Sequence, residues 1–97
     1  MAINCYLHSL AVSLPENIIS NDDLSTLVDT NDKWIVERTG IRFRRKVALD
    51  QQTSDLGLDA AKKCLKKSGV AASQLTHIIV ATCTPNYLSP SVACVIA

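Results

Sequence analysis

The chain has 97 residues, enough for one small domain, with 47% hydrophobic and 20% charged side chains. Its formal net charge is +1, which argues against general nucleic-acid binding, since that draws on many unopposed Lys and Arg. No apolar run approaches the roughly 20 residues of a membrane span, and the opening MAINCYLHSL has neither the basic start nor the cleavage pattern of a signal peptide.

In chain order, Ile3–Val12 is apolar on both parities and predicts a strand covered on both faces. Leu14-Pro15-Glu16-Asn17 ends it as a turn. Asn21 reads as an N-cap, with Asp22 and Asp23 in the first turn of a short helix reaching about Val28. Thr30 or Asn31 caps a second short helix, with Asp32 in its first turn and Gly40 just past its end. Ile41–Ala48 predicts a strand or extended segment, with Ile41, Phe43 and Arg45 on one side and Arg42, Arg44 and Lys46 on the other.

Ser54 and Asp55 open the clearest helix, which runs to about Ser68 on an apolar stripe of Leu58, Ala61 and Leu65 and stops at Gly69. Ser73–Thr76 is a turn. His77–Thr82 is a continuous apolar run that predicts a central buried strand. Thr84–Pro90 is a loop, and Ser91–Ala97 is the start of a last helix. That helix is apolar nearly all round, so it expects burial, and the chain reads as a piece of something larger.

Cys5, Cys64, Cys83 and Cys94 form no C-x-x-C pair, so they read as reduced and mostly buried thiols in a cytoplasmic protein. Paired Cys or His spacing is missing, so no metal site is expected. Cys83 ends the apolar run, where α/β proteins tend to place ligands. A nucleophilic thiol needs a base or a positive field. His77 lies six residues back, about 20 Å along a strand. The offset of His8 is unknown, and a small packing residue remains the simpler reading of Cys83. No G-x-S-x-G, Walker or Rossmann fingerprint is present.

The one tryptophan, Trp34, lies in the most charged stretch, DTNDKWIVERTGIRFRR, one helical turn before Arg38. One reading is a half-buried indole with Arg38 stacked on it. The other is a flat ligand held between indole and guanidinium, which suits a nucleotide. Arg42, Arg44, Arg45 and Lys46 are either phosphate contacts or a solvated charge run.

This stretch is where a family resemblance is strongest. Val28–Arg42 carries D-T-x-D-x-W-I-x-x-R-T-G-I-R, and Ile78–Thr84 and Pro90–Cys94 follow at matching spacing. The pattern resembles the start of β-ketoacyl-acyl-carrier-protein synthase III, a condensing enzyme, over all 97 residues but only about the first third of a family chain. The resemblance implies an α/β fold of the thiolase type, in part, with a mixed sheet covered by helices, and residues 1–97 as its incomplete N-terminal segment. It implies an acyltransferase that condenses an acyl-CoA primer with malonyl-acyl-carrier-protein to start fatty-acid elongation. Coenzyme A would then be a substrate rather than a resident cofactor, the carrier protein a partner, and a homodimer or self-association the assembly.

Residue by residue, the resemblance makes Trp34 and Arg38 the sandwich for the CoA adenine and Thr30 a contact to its edge. Ser89 matches a position that shapes the acyl pocket. It is small where many members carry a bulky aromatic, which implies room for longer or branched primers. The catalytic Cys, His and Asn are expected beyond Ala97, so no catalytic residue is assigned here and the segment alone is expected to be inactive. Cys83 and Cys94 match non-catalytic positions. Ser9 and Ala11 stand where the family's first strand usually has glycines. The alternatives are a non-catalytic CoA-binding module, a dimerisation piece, or part of a related condensing enzyme of secondary metabolism.

Overall fold

The computed structural model describes residues 4–97 and divides them into two units. One is Leu14–Asp50. The other joins the described residues up to Ser13 with Gln51–Ala97.

The Leu14–Asp50 unit begins with strand β1, Asn17–Ser20, and helix α1, Asn21–Ser25. Helix α2, Asp32–Thr39, and strand β2, Phe43–Lys46, follow. The strands pair antiparallel, with Asn17 opposite Lys46 and Ser20 opposite Phe43. Ser20 caps α1 reciprocally: its hydroxyl accepts from the Asp23 N–H at 3.1 Å, and the Asp23 carboxylate accepts from the Ser20 N–H at 2.9 Å. The cap is therefore one residue earlier than the sequence suggests, because Ser20 has a carboxylate three residues on and Asn21 is drawn inward. The helix proper ends at Ser25, although turn hydrogen bonds continue to Val28.

β1 was not foreseen from the sequence. Ile18 and Ile19 are β-branched and suit a strand, but they follow directly on a Pro-containing turn. β2 has no covered apolar side: its one partly covered residue is Arg44. Phe43 is 64% exposed, whereas Arg44 is half-buried. Arg44 donates to the Ser20 carbonyl at 3.2 Å and to Asn21 Oδ1 at 2.6 Å. Arg45 donates to the Pro15 carbonyl at 3.1 Å. Two of the four cations read as a charge run thus tie the ribbon to the chain around it.

The second unit is built on helix α3, Thr53–Ser68, followed by a 3₁₀ turn at Ala72–Gln74 and helix α4, Val92–Ile96. Asn86, from the loop before α4, holds the start of α3. Its Oδ1 accepts from the Ser54 N–H at 3.0 Å, and its amide nitrogen donates to Ser54 Oγ and Gln52 Oε1, each at 2.6 Å. Thr53 Oγ1 adds a bond to the Thr84 carbonyl at 2.5 Å. Gly69 ends α3 at φ 73°, its N–H returning to the Leu65 carbonyl. α4 lies close on α3 at Gly57, where an added Cβ would fall 2.7 Å from Ile96 Cδ1.

Two expected strands are not formed. Ile3 lies outside the described residues. Asn4–Val12 and His77–Thr82 join no sheet, the only ladder among the described residues being β1–β2. A strand needs a neighbour for its N–H and C=O groups, and no described segment supplies one. Most of their large apolar side chains stay in water: Tyr6, Leu7, Leu10, Val12 and Ile79 are all exposed. The same cause overturns the buried-thiol reading, because Cys5, Cys83 and Cys94 are exposed and only Cys64 is partly covered. In α4 only Val92 is buried, and Val95 is exposed. Besides Pro15, the buried apolar side chains among the described residues are Ile35 and Val92, each of these two worth about 1.5–3 kcal/mol.

Polar ties therefore carry much of what is ordered. Asn86→Ala is expected to destabilise the first turn of α3 by about 1–3 kcal/mol, since the partly buried Ser54 groups lose their partner. Faster amide exchange at Ser54, with the last turn of α3 unaffected, is the measurement that checks it. A pH effect is expected at Asp59, whose carboxylate lies below its ordinary 3.8 because Lys63 and then Ser13 donate to it. With the folded value depressed, this tie is complete above the unfolded value and is lost as pH falls through the folded one. NMR titration should place the Asp59 midpoint below 3.8, with Lys63→Ala raising it more than Ser13→Ala.

Candidate functional site

α2 presents the sequence-predicted pair. Asn31 caps the helix, its side-chain oxygen accepting from the Trp34 N–H at 2.9 Å. Gly40 ends it in the left-handed region at φ 72°, with its N–H on the Val36 carbonyl at 2.8 Å. Thr39 Oγ1 donates to the Ile35 carbonyl and accepts from the Ile41 N–H, which turns the chain toward β2. Between these ends Ile35 faces inward at 7% exposure, and Trp34 is 54% exposed. The helix is two turns long with one apolar anchor, so the indole has nowhere in this unit to be buried.

Arg38 stands one turn after Trp34, and its guanidinium carbon lies 5.6 Å from the centre of the indole. That is a cation–π contact, worth about 0.5–1 kcal/mol at an exposed site. Arg38 also occupies the last turn, where a cation suits the helix dipole. Lys33 and Glu37 pair loosely along the helix at 4.0 Å and are well exposed. Thr30 precedes the cap. Its Oγ1 is shielded from solvent and has no hydrogen-bond partner among the described residues. Arg42 and Lys46 are exposed, whereas Arg44 and Arg45 are engaged in the ties already described.

The other sequence candidates lie in the second unit. Ser89 is exposed. His77 is exposed and shares a hydrogen bond at 2.9 Å with the neighbouring Thr76. His8 packs edge-on to Tyr6 at 5.9 Å. Cys94 Sγ accepts from Ser91 Oγ at 3.3 Å. Cys83 is exposed, and its thiol makes no hydrogen bond among the described residues. No group of three or more His, Cys, Asp or Glu among the described residues is placed to hold a metal ion. No helix among them is long and apolar enough to cross a membrane.

Asn21 is the residue of this unit that sequence reasoning missed, because it reads as an ordinary cap. It is 1% exposed, and its amide nitrogen donates to Asp32 Oδ1 and to the Ile41 carbonyl, both at 2.8 Å. Nothing in the local sequence distinguishes a capping Asn from one whose side chain turns inward.

No family model matches the chain. Among curated proteins it is 51% identical over 83 residues to the β-ketoacyl-[acyl-carrier-protein] synthase III of Clostridium novyi, covering 86% of this chain and 25% of that protein. It is 46% identical over 96 residues to the enzyme of the same name from Oleidesulfovibrio alaskensis, covering 99% of this chain and 29% of that one. Among solved structures it matches 3-oxoacyl-[acyl-carrier-protein] synthase III from Aquifex aeolicus with a TM-score of 0.85 at 38% identity, over 92% of this chain and 29% of that one. The chain belongs to the β-ketoacyl-acyl-carrier-protein synthase III family.

It spans 25–29% of the length of these synthase III relatives, consistent with the N-terminal segment. The expected fold class, a partial α/β structure of the thiolase type, is the fold of these neighbours. The priming β-ketosynthase of the R1128 polyketide pathway shares it, with a TM-score of 0.84 at 28% identity over 91% of this chain and 26% of that one.

Proposed function

We propose that α2 is the coenzyme A platform of a 3-oxoacyl-acyl-carrier-protein synthase III. The whole enzyme is then an acyltransferase that joins an acyl-CoA primer to malonyl-acyl-carrier-protein at the start of fatty-acid elongation. The observation that carries this reading is the Trp34–Arg38 pair, exposed on a capped two-turn helix within a motif typical of the family. An indole in water beside a guanidinium supplies a stacking face and a positive charge, which together match an adenine nucleotide.

The pair is closed as it stands. A base between indole and guanidinium needs about 7 Å, two contacts of roughly 3.5 Å each. The 5.6 Å observed therefore requires Arg38 to swing outward as the base enters. Its side chain is exposed and makes no hydrogen bond among those of the described residues, so little opposes that movement. Thr30 at the start of the helix is assigned to the adenine edge, and exposing its unpartnered hydroxyl satisfies a group that now has no partner. Of the basic run, Arg42 and Lys46 are the side chains free to meet phosphates.

Coenzyme A enters here as a substrate and leaves, so no resident cofactor is assigned. The nucleophile and its helpers are assigned to the part of the family's length that this chain does not span, which leaves the segment inactive by itself. Ser89 is assigned to the acyl pocket, where its small side chain favours longer or branched primers. The reading also implies a cytoplasmic enzyme working with an acyl carrier protein. The exposed Leu7, Leu10, Ile79 and Leu88 favour self-association of the chain, in keeping with a homodimer. The likeness to the R1128 priming ketosynthase supports a second reading, a condensing enzyme of secondary metabolism using the same platform.

Titration with coenzyme A, followed by the fluorescence of the single tryptophan, tests the platform. Saturable quenching is expected, and Arg38→Ala is expected to weaken it by about fivefold to tenfold, the loss of a cation–π contact and a charge. Equal affinity in wild type and Arg38→Ala would remove Arg38 from the site. No saturable response would remove the platform.

A further inference from the structure

We infer that Asn21 is the positioning residue of the α2 platform; the ligand side of this inference rests on the coenzyme A reading of Trp34 and Arg38. Asn21 lies outside α2, in the first turn of α1, yet its amide reaches both ends of α2. One bond goes to the side chain of Asp32, the first residue of the helix. The other goes to the carbonyl of Ile41, immediately after the Gly40 cap. The amide oxygen accepts from Arg44 Nη2 at 2.6 Å, and Arg44 also donates to the Ser20 carbonyl. The helix and the β1–β2 ribbon are therefore held through one side chain.

The orientation of this amide is fixed by its partners. Exchanging its oxygen and nitrogen would set an acceptor against Asp32 and Ile41 and a donor against Arg44. At 1% exposure, Asn21 has no water to replace a lost partner. α2 has a single buried apolar residue, Ile35, and one anchor lets a short helix roll about its axis. Bonds at the two ends of the helix oppose that roll. Trp34 and Arg38 are carried on the rolling face, so the direction in which they project depends on Asn21, which touches neither of them.

The test uses the 97-residue chain, with Asn21→Ala and the isosteric Asn21→Asp. Asn21→Asp removes the N–H donors and sets a carboxylate against Asp32. Both variants are expected to keep the far-ultraviolet circular dichroism of the chain and to lose the near-ultraviolet band of its one tryptophan. Coenzyme A affinity is expected to fall by about tenfold or more. Arg38→Ala is expected to cost less in the Asn21→Ala background than in wild type, since both act through one platform. Asp32→Asn, which keeps an acceptor for Asn21, is expected to retain the tryptophan band.

An unchanged tryptophan band in both Asn21 variants, with affinity within about twofold of wild type, overturns the inference. If the Asn21 variants lose their far-ultraviolet signal, Asp32→Ala decides it by removing the bond at one end of α2 alone. A weakened band supports positioning, and an unchanged one refutes it. If the wild-type chain binds no coenzyme A, the ligand reading fails by itself, and the tryptophan band still decides whether Asn21 positions the helix.

Discussion

A side-chain amide removed from water must find a partner for each N–H and for its oxygen, and the Leu14–Asp50 unit is arranged around one that does. Asn21 bonds to Asp32, Ile41 and Arg44, and so joins the start of α2, the chain just past its end and strand β2. The apolar core of this unit is too small to do the same, since Ile35 and Pro15 are its buried apolar residues. In the other unit Asn86 has a comparable part, holding Gln52 and Ser54 at the start of α3. In a chain with so little covered apolar surface, directional bonds rather than area set where the helices stand.

This accounts for a tryptophan in the most charged stretch of the sequence. A two-turn helix with one inward residue leaves its other faces in water, and Trp34 and Arg38 share one of them. Charged neighbours cost such a helix nothing, because Lys33 and Glu37 are solvated. Part of the basic run also has structural work. Arg44 and Arg45 donate to backbone carbonyls, which leaves Arg38, Arg42 and Lys46 as the cations open to a phosphate.

How much was legible depended on whether the governing interaction was local. The limits of α2 followed from Asn31, Asp32 and Gly40, and the end of α3 from Gly69, because caps act over a few residues. The Trp34–Arg38 contact followed from helix geometry alone. Asn21 was misread because a capping asparagine and an inward-turned one have the same local sequence. β1 was missed because its partner is remote in the chain, with Asn17 opposite Lys46 in the ribbon register, and strand pairing is not encoded by neighbours. Asn4–Val12 and His77–Thr82 have the composition of buried strands but lack neighbours among the described residues. The matched relatives are more than three times the length of the chain, and Leu7, Leu10 and Ile79 are exposed.

The most direct test of the central claim is saturation-transfer NMR of coenzyme A with the chain, repeated with Trp34→Ala. If α2 is the platform, the adenine protons take up saturation first and most strongly, and Trp34→Ala abolishes the effect while the far-ultraviolet spectrum is retained. Saturation confined to the pantetheine arm, or an adenine signal unchanged by Trp34→Ala, would contradict the account.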